Sequence, residues 1–201
     1  MASPIWSSAQ LSLDGYLAFE EAAPLRHEFV AGEVYAMAGA STRHHRILSN
    51  IHRRVANAAA GGPCAVYVEG VKLRVRNDFY YADMMVECSP SELNKLVVLD
   101  PCLLVEITSP STARVDRTQK LDAYQAIPSL HAYLVVEQAW RRVVRHWRDA
   151  TGAWQQEDHQ SDGTIDLPCP ELSLTVDQIY EGLAPLTVRE MEALGYGVEY
   201  A

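Results

Sequence analysis

Residues 103–112 read LLVEITSPST. Leu103, Leu104 and Val105 are apolar, Glu106 interrupts them, Ile107 resumes the pattern, and Thr108, Ser109, Pro110 and Ser111 end it. With both faces apolar, this run reads as a central strand of a sheet that is covered on both sides. A carboxylate in such a strand is costly to bury unless a cation, a metal or a proton compensates it.

The neighbouring segments supply the rest of that sheet. YYADMMVEC (80–88) and AVYVEGVKLRV (65–75, broken near Glu69-Gly70) read as strands, and SPSELNKLVVLD (89–100) reads as a loop. Downstream, STARVDRTQKLDAYQA (111–126) reads as a helix ended by Pro128. HAYLVVE (131–137) and RRVVRHW (141–147) are strands joined near Gln138-Ala139, and 152–158 and 164–167 continue as strands. TVDQIYEGL (175–183) reads as a closing helix.

Upstream, 12–22 is a short helix that Ser12 can cap, and HEFVAGEVYAM (27–37) is a hairpin turning at Ala31-Gly32. Residues 41–62 form the clearest helix. Ile47, Ile51 and Val55 recur every fourth residue, Leu48 and Ala58 widen the stripe, Ser41 or Thr42 can cap it, and Gly61-Gly62 ends it. Arg43, Arg46, Asn50, Arg53, Arg54 and Asn57 fill its remaining surface, either as a solvated face or as phosphate contacts. Helices flanking central strands define an α/β fold with a mixed sheet and additional C-terminal strands.

The chain has 201 residues, 48% hydrophobic and 21% charged, which suits one soluble domain over 1–201, with a core from about 12 to 183 and a tail from 184 to 201. No apolar stretch of membrane-spanning length is present, and the first 22 residues lack the basic and apolar regions of a secretory signal, so no membrane partner and a cytoplasmic location are expected. Cys64, Cys88, Cys102 and Cys169 form no C-x-x-C pair, so they are expected to be small core residues rather than a zinc site or a disulfide framework. Seventeen basic against 26 acidic residues give a net charge of −9. That argues against a general nucleic-acid coat protein but allows a local basic groove.

Asp83 in YYADMMVEC and Glu106 in LLVEIT are acids inside runs that otherwise favour burial. On neighbouring strands, two such acids can share Mg²⁺, a hard cation that takes one or two carboxylates together with water and phosphate oxygens. The alternative is that each simply faces solvent near a strand end. Asp116, Lys120 and Tyr124 share one helix face, and Lys120 borders the buried side marked by Leu121 and Tyr124. By spacing alone, the preferred reading is an Asp116–Lys120 surface ion pair worth ~0.3–0.5 kcal/mol. Glu28 alone is an ordinary hairpin residue, and His44 reads as a satisfied histidine at the core edge. There is no G-x-S-x-G, P-loop, G-x-G-x-x-G or H-E-x-x-H motif.

The order Glu28, Ser41-x-x-His44, Ala82-Asp83, Val105-Glu106-Ile107-Thr108-Ser109-Pro110-Ser111-Thr112, Asp116-x-x-x-Lys120 and Tyr124 resembles the Uma-two family of restriction endonucleases, within the PD-(D/E)XK nuclease superfamily. The resemblance runs from about Tyr16 to Leu183. It implies a restriction-endonuclease-like fold and metal-dependent hydrolysis of phosphodiester bonds in DNA. Asp83, Glu106 and the Ile107 carbonyl would hold Mg²⁺ or Mn²⁺, with Glu28 assisting. Ala82 replaces the motif proline, and Thr108 stands where the superfamily lysine belongs, which makes Lys120 its migrated substitute. A homodimer is expected, because two-fold symmetry serves the cutting of both strands. The competing readings are a catalytically inactive nuclease-like fold acting as a nucleic-acid-binding or assembly module, and a metal-binding protein with a small phosphodiester substrate.

Overall fold

The computed structural model describes residues 11–37, 39–88, 96–108 and 118–196. At its centre lies β8 (Leu103–Thr108), all six of whose residues are buried. It pairs in parallel with β9 (Ala132–Glu137), Leu103 opposite Ala132 and Thr108 opposite Glu137. On its other side it pairs antiparallel with β6 (Met84–Cys88). Adding β10 (Arg142–Arg148), β11 (Trp154–Gln160) and β3 (Cys64–Val68) gives a mixed sheet ordered β11-β10-β9-β8-β6-β3. A parallel neighbour requires a crossover, and that connection carries α3 (Gln119–Gln125).

Strand alternation sorts β8 between two cores. Leu103, Val105 and Ile107 face α2 (Thr42–Ala59), in a cluster with Ile47, Ile51 and Val55. Leu104 faces the other way, toward Tyr124, Ile127 and Tyr133. Each fully buried aliphatic side chain contributes ~1.5–3 kcal/mol, so α2 is held by packing on the sheet. Ser41 caps it as expected, its Oγ accepting from the His44 N–H at 3.1 Å. The buried stripe ends on Ala59 rather than Ala58.

A second sheet, ordered β2-β1-β5-β4-β7, shares no ladder with the first but packs on its Leu104 and Tyr133 face through Leu73, Val75 and Tyr80. It comprises β1 (His27–Val30), β2 (Glu33–Ala36), β4 (Lys72–Val75), β5 (Asp78–Tyr80) and β7 (Val97–Val98). The β1–β2 turn uses Ala31 and Gly32 at φ 52° and 85°, the positive values that tight hairpins need. Tyr16 of α1 (Leu13–Ala22) stacks on Phe29 and packs with Val34 and Phe79.

The run 65–75 breaks at Glu69-Gly70 as expected, its two halves going to different sheets, whereas the run 80–88, expected as one strand, is divided between the sheets at Tyr81–Asp83. Tyr80, Tyr81 and Ala82 are consecutively buried because the chain there passes between two packed layers, so no alternation marks the break.

At the C-terminal end, β12 (Thr164–Pro168) and β13 (Glu171–Thr175) form a hairpin, followed by α4 (Val176–Ile179) and α5 (Val188–Ala193). The closing helix thus spans four residues, fewer than the 175–183 pattern suggested. This segment takes up the basic face of α2. Asn50 is buried and donates to the carbonyls of Ile179 and Glu181 at 3.0 Å each, Arg53 and Arg54 both reach Glu181, and Arg43 donates to the carbonyls of Gln138 and Ala184. Burial lowers the Arg43 pKa. Asn50 and Arg43 are therefore taken up by the chain's own carbonyls, whereas Arg53, its side chain 56% exposed, remains on a solvated face.

The cysteines lie in or against the core as expected, Cys102 and Cys169 buried in it, but they are paired there, contrary to expectation. Cys64 pairs with Cys88 and Cys102 with Cys169 as disulfides. The expected helix over 111–126 is described only from Gln119, so Asp116 and its ion pair with Lys120 lie outside the described residues, as does most of the 89–100 loop. Among the described residues, no helix is long and apolar enough to cross a membrane.

Candidate active site

Five segments deliver polar side chains to one point beside β8. Glu106 is its fourth residue, facing α3. Lys120 enters from α3 with its Nζ 3.0 Å from Glu106 Oε1 and 3.1 Å from Glu28 Oε1. Tyr124, one turn further along α3, donates its hydroxyl to the same Glu106 oxygen at 2.8 Å. Burial, then the Glu106 carboxylate, push the Tyr124 phenol well above its ordinary pKa, with Lys120 opposing them. Tyr124 therefore acts as a fixed hydrogen-bond donor.

Asp83 arrives on the connector that leaves the second sheet, just before β6. Its Oδ2 accepts the Ile107 N–H at 2.6 Å, so the two acids flank one peptide of β8. Its Oδ1 lies 3.3 Å from His44 Nε2 in the first turn of α2. Glu28, on β1, also accepts the Tyr81 N–H at 3.1 Å, which ties the second sheet to the Asp83 connector. Tyr81 in turn donates to Glu20 of α1, whose carboxylate also holds His27.

The structure thus gathers Glu28, Asp83, Glu106 and Lys120 and sets the Ile107 peptide between Asp83 and Glu106. Their side chains are 16%, 16%, 5% and 8% exposed, a low-dielectric setting in which charge has large effects. Three carboxylates face one lysine and one histidine. An oxygen-rich set with an excess of acid fits a hard divalent cation, which Asp83 and Glu106 could hold.

Thr108 does not join this cluster. It is fully buried and donates to Glu137 Oε2 at 3.0 Å, across the parallel β8–β9 pair. The position two residues after the glutamate is thereby spent on cross-strand bonding.

His44 and Glu137 are the residues that sequence reasoning undervalued. For His44 a signal existed in Ser41-x-x-His44. Ser41 both caps α2 and donates to Gln138 Oε1 at 2.6 Å, which fixes the first turn of the helix against the end of β9. Glu137 closes an apolar strand that gave no reason to single it out.

A central strand carrying one acid, a connector carrying a second and a buried lysine between carboxylates define a protein of the restriction-endonuclease-like α/β class. The family model described as "Uma2: Putative restriction endonuclease" matches residues 13–177, and the chain belongs to that family. It is 32% identical over 185 residues to "Uncharacterized protein slr1290" of Synechocystis sp., covering 90% of this chain and 97% of that protein. It is 31% identical over 144 residues to "Uncharacterized protein sll1609" of the same organism, covering 69% and 81%. The fold is similar to the crystal structure titled as "a putative nuclease belonging to DUF820" from Anabaena variabilis, with a TM-score of 0.70 and 15% identity over 84% of this chain and 97% of that one.

Proposed function

We propose that the protein is a metal-dependent endonuclease that hydrolyses phosphodiester bonds in DNA. The observation that carries this reading is the Lys120 ammonium held between Glu28 and Glu106 beside Asp83. Membership of a restriction-endonuclease family supports it.

In this reading Asp83, Glu106 and the Ile107 carbonyl hold Mg²⁺ or Mn²⁺. When bound, the dication supplies Lewis-acid activation of the phosphate and lowers the pKa of a water. The chain's own residues do the rest. Tyr124 and Lys120 fix the Glu106 carboxylate by bonding the same oxygen. Lys120, paired with two carboxylates, places its ammonium where negative charge develops on the phosphate oxygens. Glu28 positions Lys120, and His44 orients Asp83 from behind. Two copies related by a two-fold axis would present two such sites to a duplex.

The inactive-module reading drew its support from Thr108. That support weakens once Lys120 delivers an ammonium to the same acids from α3. The test is conversion of supercoiled plasmid to nicked and linear forms with Mg²⁺ or Mn²⁺ present. Cleavage is expected for the native chain and absent for Asp83→Asn and Glu106→Gln. Cleavage that persists in both variants overturns the assignment, and a native protein inert with either ion favours the inactive module.

A further inference from the structure

The four cysteines are the chain's full complement, and the fold brings all of them to one place. Cys64 opens β3 and Cys88 closes β6, directly opposite each other across the strand pair. Cys102 precedes β8, and Cys169 sits in the β12–β13 turn. Cys88 Sγ is 3.2 Å from Cys169 Sγ and 3.6 Å from Cys102 Sγ, and the sulfurs of Cys64, Cys88 and Cys169 all lie within 4.8 Å of one another. Two independent disulfides need only pairwise proximity. Convergence of four sulfurs on one point is the requirement of a shared ion. Zinc–thiolate bonds of ~2.3 Å place tetrahedral sulfurs about 3.8 Å apart, close to the separations between the two pairs.

The surroundings point the same way. A cavity of about 400 Å³ opens on the cluster, lined by the four cysteines with His131 and Glu171 among others and, among the described residues, by no lysine or arginine. Four thiolates gathered in such a wall call for more positive charge than one imidazole offers, and a soft dication supplies it.

We infer that Cys64, Cys88, Cys102 and Cys169 form a tetrathiolate site for Zn²⁺. The structure holds the four sulfurs as two disulfides, and the tetrathiolate is the alternative state of the same cluster, formed by the reduced chain: the ion displaces four S–H protons and forms four Zn–S bonds, with no change in oxidation state. The site is structural, because four protein ligands leave no open position. It fastens the β12–β13 hairpin to the β3–β6–β8 edge. It lies at the opposite end of β6 from Asp83, roughly 17 Å away at the rise of a strand. It is therefore separate from the oxygen-ligand site proposed for Mg²⁺.

The test is elemental analysis and thiol counting on full-length protein expressed with zinc and purified anaerobically without added thiol. One zinc per chain is expected, released when the four thiols are titrated with a mercurial. Replacement by Co²⁺ should give an intense sulfur-to-cobalt charge-transfer band in the near ultraviolet and strong tetrahedral visible bands, which carboxylate ligands do not produce. Cys169→Ser should weaken zinc binding by more than the ~10–100-fold that loss of an outer-shell partner costs. Should that variant fail to fold, the Co²⁺ spectrum of the native chain still decides. Metal-free protein with four reactive thiols, or with two disulfides, overturns the inference.

Discussion

Lys120 Nζ lies 3.0 Å from Glu106 Oε1 and bridges onward to Glu28, although Lys120 stands on a helix and Glu106 on the central strand. Removing the ammonium leaves carboxylates facing each other in a buried setting. Lys120→Met should therefore destabilise the fold by about 3–5 kcal/mol. Lys120→Met combined with Glu106→Gln should cost less than Lys120→Met alone. Urea denaturation of the two variants checks this; equal or greater loss in the double variant contradicts the pairing.

His44 supports Asp83 from a 3.3 Å separation without being counted among the metal ligands. Substitution of such an outer partner costs about 10–100-fold in metal affinity or activity. His44→Gln should lower the apparent Mg²⁺ affinity by that factor with little effect on the circular dichroism spectrum. An unchanged Mg²⁺ titration of plasmid cleavage contradicts the role.

The α2 face offers a contrast between a buried donor and exposed charges. Asn50→Ala removes the donor shared by two carbonyls and should cost about 2 kcal/mol. Arg53→Ala breaks a pair whose side chains are 56% and 54% exposed and should cost less than about 1 kcal/mol. Thermal unfolding of the two variants, measured side by side, gives the order.

Burial holds the His146 ring below its ordinary value of 6.5, where it stacks on Tyr133. Below that pH the unfolded chain takes up a proton that the folded chain refuses, so stability falls with pH until the folded ring also protonates. Between pH 7 and 5.5 the native protein should lose more stability than His146→Phe, which keeps the stacking and does not titrate. Parallel slopes for the two proteins contradict this.

How much of this was legible in the sequence follows from the kind of signal each feature left. The α2 helix announced itself through the Ser41 cap and the Ile47, Ile51, Val55 period, both local. Glu106 was legible because a charge in a two-sided apolar strand has no bland home. Asp83 was legible as an acid but not as a connector residue, because burial on both sides of Tyr81 and Ala82 erased the strand break. The place of Lys120 came from family resemblance, since spacing alone favoured a surface pair with Asp116. The burial of Asn50 within the basic stripe was not legible because what covers it begins 129 residues further on, at Ile179. The cysteine cluster was invisible for a related reason. Strand register and a distant hairpin assemble it, with no short-range ligand motif.

The central claim is that Asp83 and Glu106 form a site for a hard dication, and calorimetric titration with Mg²⁺ tests it most directly, because thiolates do not compete for that ion. The native chain should show one saturable site, and Asp83→Asn and Glu106→Gln should each abolish it while remaining folded. Binding of equal strength in the native chain and the combined Asp83→Asn, Glu106→Gln variant, or no binding to the native chain at millimolar Mg²⁺, contradicts it.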